Sequence, residues 1–288
     1  MSTVPSDPTL PIAAPPATSP LTASQRHVLD FDPARDGFGF VNTFAWTEED
    51  LVYLGEELRP LVRSVTVALP ALAGGVSGGR RGLVAGALGG AAALALRLPD
   101  AAIRGVARRW ASFGLCGGMA LAAAERWPAR LGRPTAELKR EHIRALLRRR
   151  QARTIRASGP TFIRYWLAAL AGPAYALPFG DVLDRELAIL RAAIDSGRPV
   201  VLGLVGDTPD PFAMHQVVAF GYEMDERGAT RLSVYDPNSP GRTRHIEAHV
   251  DGGRVQIGTD LTTGPRRSGG YHISREPGRL SMIFAVEV

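Results

Sequence analysis

The chain has 288 residues, 45% of them hydrophobic and 22% charged, which supplies a substantial core and is ordinary for a soluble globular protein. Its net charge of +6 is carried almost wholly by arginine, with Lys139 the only lysine. Beside so many Ala and Gly residues, that excess reads as compositional bias rather than as a nucleic-acid footprint. The single cysteine, Cys116, excludes an intramolecular disulfide and any cysteine-based metal cluster.

Residues 1–25 are rich in Pro, Ala, Ser and Thr and cannot bury a core, so they read as a disordered tail before one domain over 26–288. No basic cluster leads into an apolar run there, so no secretory signal is visible and the cytoplasm is the default location. Residues 29–46 are aromatic, with turn signals at Asp32-Pro33 and Asp36-Gly37, and their rings call for burial against the domain. Thr47 is the N-cap of a following helix, whose first turn carries Glu48, Glu49 and Asp50; Leu51, Leu54 and Leu58 form its apolar face and Pro60 ends it.

Residues 65–98 hold two apolar pieces interrupted by Arg80-Arg81. The second, Gly82 to Leu96, falls short of the roughly 20 residues a membrane span needs, so the segment reads as a helical hairpin packed on the domain, with membrane insertion as the alternative. Two helices follow within 102–156. The first carries Cys116 near its start. The second is basic on its polar side through Arg140, Arg144, Arg148, Arg149 and Arg150, which reads as a solvated face or as the site of an acidic partner, anionic lipid included. A helix over about 182–196 stops at Gly197 ahead of Pro199. Six short strands then run at 200–205, 215–222, 231–236, 242–250, 254–260 and 281–288, with spacing that suits an antiparallel meander. The expected fold class is α+β, a helical N-terminal half packed on a C-terminal antiparallel sheet.

Three local patterns carry chemistry. In Ser112-Phe113-Gly114-Leu115-Cys116-Gly117-Gly118-Met119, a thiol opens an Ala-rich helix, where unpaired N–H groups and the helix dipole favour thiolate. The flanking glycines leave room for a substrate carbonyl near the backbone. His215 opens the strand HQVVAFGY, and Asp236 ends the strand RLSVYD, which should pair with it. A hairpin of that span brings Asp236 back beside His215, where a carboxylate can fix the imidazole's tautomer and orientation. Asn238, in the same Asp236-Pro237-Asn238 turn, is the alternative third member.

Together FGLCGGMALAA, HQVVAFGYE and YDPNSPG resemble the papain-like cysteine peptidase superfamily, in particular its bacterial branches such as the double-glycine-leader peptidases. The resemblance covers about residues 105–245, with GFGFVNTF as a further part. It implies a papain-like fold with Cys116 as nucleophile, His215 as general base and Asp236 as orienter. The substrate would be a peptide, protein or amide, processed through a thioester without metal or organic cofactor. Papain-like enzymes commonly place a Gln shortly before the Cys to complete the oxyanion hole, and 108–115 contain none. The Cys116 N–H supplies one donor; Asn42, Ser112 and Gln216 are candidates for the second, with Asn42 favoured. Acyl transfer of the transglutaminase or deamidase kind uses the same three residues. A papain-fold binding module or effector with little proteolytic activity is the reading from another class.

Overall fold

In a computed structural model, the described residues are 25–45, 47–53, 56, 114–129, 134–171, 178–206, 214–261 and 280–286. The expected tail up to residue 24, Leu54, Leu58 and Pro60 of the first expected helix, the hairpin at 65–98 and Ser112 lie outside them. The architecture is α+β. Strand β1 (Gln25–Val28) comes first, then helices α1 (Cys116–Ala129), α2 (Arg140–Ala171) and α3 (Phe179–Asp195). Among the described residues, strands β2 (Val200–Gly206), β3 (His215–Met224), β4 (Thr230–Tyr235), β5 (Thr243–Asp251), β6 (Arg254–Thr259) and β7 (Leu280–Ala285) follow.

All strand pairs are antiparallel, in the order β6-β5-β4-β3-β2-β7. The expected meander therefore holds from β2 to β6, and β7 then crosses back to β2. β3 is longer than β2, and the edge β2 leaves uncovered is taken by β1, from Gln25 opposite Met224 to Val28 opposite Gly221. The end strands β6 and β7 touch, so the sheet curls toward closure. β2 is buried along its whole length, as its unbroken run VVLGLVG requires.

Helix α1 packs on β3 and β2 and along α2, and α3 packs on β7 and β6. Gly117 through Ala123 of α1 are buried, and Gly118 lets the two helices meet: a Cβ there would strike the Leu147 carbonyl of α2. α3 ends in a Schellman motif. The Arg198 N–H bonds the Ala193 carbonyl (3.0 Å), the Gly197 N–H bonds Ile194 (2.9 Å), and Gly197 sits at φ 79°.

The aromatic segment 29–45 packs as its composition demands: Phe31, Phe38 and Phe44 are buried, and Phe31 stacks on Phe220 with ring centroids 5.1 Å apart. The helical turn at 48–53 begins with a full reciprocal cap. Asp50 Oδ2 accepts from the Thr47 N–H (2.9 Å) and hydroxyl (2.7 Å), while the Asp50 N–H reaches Thr47 Oγ1 (3.3 Å). Among the described residues no helix is long and apolar enough to cross a membrane.

The basic face of α2 is not simply solvated. Arg144 and Arg148 pair with the fully buried Asp50, Arg148 also with Glu49, and Arg150 and Arg153 with Glu125 of α1. For these arginines the acidic partner is the chain itself.

Candidate active site

Cys116 is the first residue of α1, His215 the first of β3, and Asp236 follows β4 directly. The structure brings these three side chains into one hydrogen-bonded line. His215 Nε2 lies 2.7 Å from Asp236 Oδ1, and the imidazole is also hydrogen-bonded to the Cys116 thiol. With Nε2 taken by the carboxylate, Nδ1 is the nitrogen left for the sulfur. His215 is 5% exposed and Asp236 fully buried, whereas Cys116 keeps partial exposure and so stays within reach of a ligand.

The sheet register explains why the line forms. β3 carries one extra residue, Phe220, between Ala219 and Gly221, which shifts its pairing with β4 so that Val218 faces Tyr235. Carried one position further, that register sets Asp236 opposite Val217, on the same face of β3 as His215. Without the bulge Asp236 would oppose Val218, on the other face. The sequence signal was the lone Gly221 inside a strand pattern.

Asp236 also builds its own turn. Its Oδ1 accepts the Asn238 N–H (2.8 Å) and its carbonyl accepts the Ser239 N–H (2.8 Å). The Asn238 carboxamide lies 3.3 Å from His215 Nε2. Both sequence candidates for the third position therefore stand at the same ring nitrogen, with the carboxylate nearer.

The electrostatics favour an ion pair. Burial opposes charge on His215, but the charge and hydrogen bond of Asp236, reinforced by the sulfur, push its pKa up to about 10. Burial would raise the Cys116 thiol. The hydrogen bond and charge of His215 outweigh it, joined by the N–H groups of Gln216 and Gly117, and the thiol is lowered. A thiolate facing an imidazolium results, a nucleophile with a proton donor beside it.

Asn42 reaches this site from the aromatic segment. Its Oδ1 accepts the Leu115 N–H at 2.6 Å, and its own N–H donates to the Pro237 carbonyl at 3.0 Å. It thus ties the loop before Cys116 to the turn after Asp236, and among the described residues its two Nδ2 hydrogens have no acceptor. The side chain of Gln216 is turned instead to Gly117 and Thr154, and it is its main-chain N–H that faces the sulfur.

The glycines have a different reason from the one expected. The space beside Gly114 is filled by Asn42 Nδ2, 2.7 Å from where a Cβ would be; that beside Gly117 by Gln216 and Thr154; and that beside Gly118 by the Leu147 carbonyl. They admit protein rather than substrate. Sequence reading had no signal for Gln151, whose Oε1 takes the Gly118 N–H at 2.9 Å, or for Thr154, because both come from α2 across the helix pair.

No family model matches the chain, and neither does any curated protein or solved structure. Among the described residues no group of three or more His, Cys, Asp or Glu side chains is gathered to hold a metal ion.

Proposed function

We propose that the chain is a cysteine hydrolase of the papain-like type, cleaving a peptide or other amide through a Cys116–His215–Asp236 triad. The observation that carries the reading is the buried Asp236–His215 pair, 2.7 Å apart, with the imidazole hydrogen-bonded to a partly exposed thiol at a helix start. The α+β layout, with the thiol helix packed on an antiparallel sheet that carries the other two residues, supports it.

In this mechanism the Cys116 thiolate attacks the carbonyl carbon, and the carbonyl π pair moves to oxygen. The resulting oxyanion is met by the Cys116 N–H and by Asn42 Nδ2. As the oxyanion collapses, the C–N bond breaks and the imidazolium of His215 hands its proton to the departing amine, leaving a thioester. Neutral His215 then takes a proton from water, whose oxygen attacks the thioester, and the acid leaves as the thiolate and imidazolium are restored. Asp236 holds the ring throughout.

The test uses the full chain with p-nitrophenyl acetate, a generic acyl donor. The expected result is a burst of nitrophenolate with one acetyl group on Cys116 by mass spectrometry, lost in Cys116→Ala and strongly slowed in His215→Ala. An unacylated thiol, or acylation indifferent to His215, would overturn the proposal.

A further inference from the structure

Arg140, Arg144 and Arg148 recur every four residues along α2 and so form one stripe. The guanidinium of Arg140 stands 5.0 Å from the Phe40 ring centroid and 5.5 Å from that of Phe44, and its Nη2 donates to the Val41 carbonyl at 3.1 Å. Arg144 donates to the Ala45 carbonyl and to Asp50, and lies over Phe44. Arg148 pairs with Asp50 and Glu49. The grips on main-chain carbonyls fall at 41 and 45, on either side of Asn42. Beyond them this strap of chain, residues 40–45 and 47–50, is tied down again where Asp50 caps the turn at Thr47.

Among the described residues Asn42 is hydrogen-bonded at two points, to Leu115 and to Pro237. An oxyanion donor works only if fixed before the charge develops, and a shift of about 1 Å is enough to lose much of its effect. We propose that Arg140, Arg144 and Arg148 are positioning residues that hold residues 40–45 and 47–50 so that the Asn42 carboxamide stays on the loop before Cys116. The value of that placement for catalysis rests on the function proposed above; the placement itself does not. The charge concentration on α2 then has a use inside the chain, fixing a donor supplied from about a hundred residues away in sequence, as the separation of 99 between Arg140 and Val41 shows.

Two readouts separate these levels. The first is amide exchange at Leu115, whose N–H is held by Asn42 Oδ1, followed by NMR in the intact protein. Asn42→Ala should speed it by about five- to tenfold, the worth of one net hydrogen bond. Arg144→Gln should do the same while the Val218 amide in β3 keeps its wild-type rate. The second is the ratio of acylation by p-nitrophenyl acetate to alkylation by iodoacetamide. Only acylation builds an oxyanion, so a donor that is lost or misplaced lowers the ratio, by about tenfold or more. Arg144→Gln should lower it in the wild-type background and add nothing in Asn42→Ala.

Arg140→Gln leaves Asp50 its partners and serves as the second variant should Arg144→Gln fail to fold. Unchanged Leu115 exchange in the folded arginine variants, with faster exchange in Asn42→Ala, overturns the proposal. So does an equal further fall of the ratio in Asn42→Ala. A wild-type ratio in Asn42→Ala removes Asn42 from the oxyanion hole, and Leu115 exchange alone then decides whether the stripe positions it.

Discussion

Replacing His215 by Ala removes the group that lowers the Cys116 thiol, and the consequence can be worked out as a function of pH. In the native protein the imidazolium persists until pH rises through about 10, and the thiolate persists down to its lowered pKa. The ion pair therefore fills the window between. In His215→Ala the hydrogen bond and positive charge are gone while burial remains, so the thiol should titrate at or above the free value of about 8.5. At pH 6 a thiol of that pKa is only about 0.3% ionised, which alone would slow alkylation several-hundredfold. A lowered pKa also makes each thiolate less nucleophilic, by about threefold per unit, so the net slowing should be smaller than the loss of thiolate alone. At pH 10 both proteins are largely thiolate, and the more basic sulfur of His215→Ala should react as fast or faster. The assay is the iodoacetamide rate from pH 5 to 10.5 in the two proteins, and the rate curves should cross. Parallel profiles with one step near about 8.5 in both would show that His215 does not act on the sulfur, and the ion pair would be refuted.

Three further outcomes follow from the same structure. The ion pair's contribution to stability should be flat between about 6.5 and 8.5, where the unfolded chain holds the same number of protons, and should fall on either side as unfolded His215 gains a proton or unfolded Cys116 loses one. Urea midpoints of wild type against the Cys116→Ala/His215→Ala double variant across pH measure this, and a difference between the two that keeps rising above pH 9 would contradict it. Asp236→Asn removes the charge that raises His215, so acylation should survive at a reduced level with its alkaline limb moved below about 10; Asn238→Ala should have the smaller effect, and the reverse order would give the third role to Asn238. Gly118→Ala should destabilise by about 1–3 kcal/mol by driving a Cβ into the Leu147 carbonyl, whereas Gly197→Ala, with open space around it but φ 79°, should lose only about 1 kcal/mol; equal urea midpoints would argue against the close α1–α2 approach.

Most strands could be read because their β-branched runs end at turn residues, and α3 because Gly197 and Pro199 mark its stop. One element that escaped was the second half of α2. Ser158-Gly159-Pro160 reads as a break, yet the helix continues to Ala171 with Pro160 inside it. Pro160 has no N–H to give the Arg156 carbonyl. Burial of Ile163, Tyr165, Trp166 and Leu167 outweighs that single loss. β1 escaped for the opposite reason. Gln25–Val28 has almost no strand character of its own, and what makes it a strand is the half-covered edge of β3. Likewise, three arginines on one helix face say nothing about their partners until the strap bearing Glu49 and Asp50 is folded against them.

Within the site, legibility follows how local the signal is. A thiol before an Ala-rich helix, a histidine before an apolar strand and an acid at a strand end each carry a local mark. What joins them does not. Twenty-one positions separate His215 from Asp236, and a plain hairpin of that span would bring the two close yet aim them at opposite faces of the sheet. The extra residue Phe220 reverses the pleat on one strand only, and Gly221 beside it lets the β1 strand pass, since a Cβ there would stand 2.9 Å from Val28 Cγ2. The same bulge buries Phe220 where Phe31 stacks on it, and Phe31 belongs to the segment that leads on to Asn42. One inserted residue thus turns Asp236 toward His215 and helps seat the strand of chain that delivers Asn42. A bulge with both consequences belongs to the site as much as the residues it aligns.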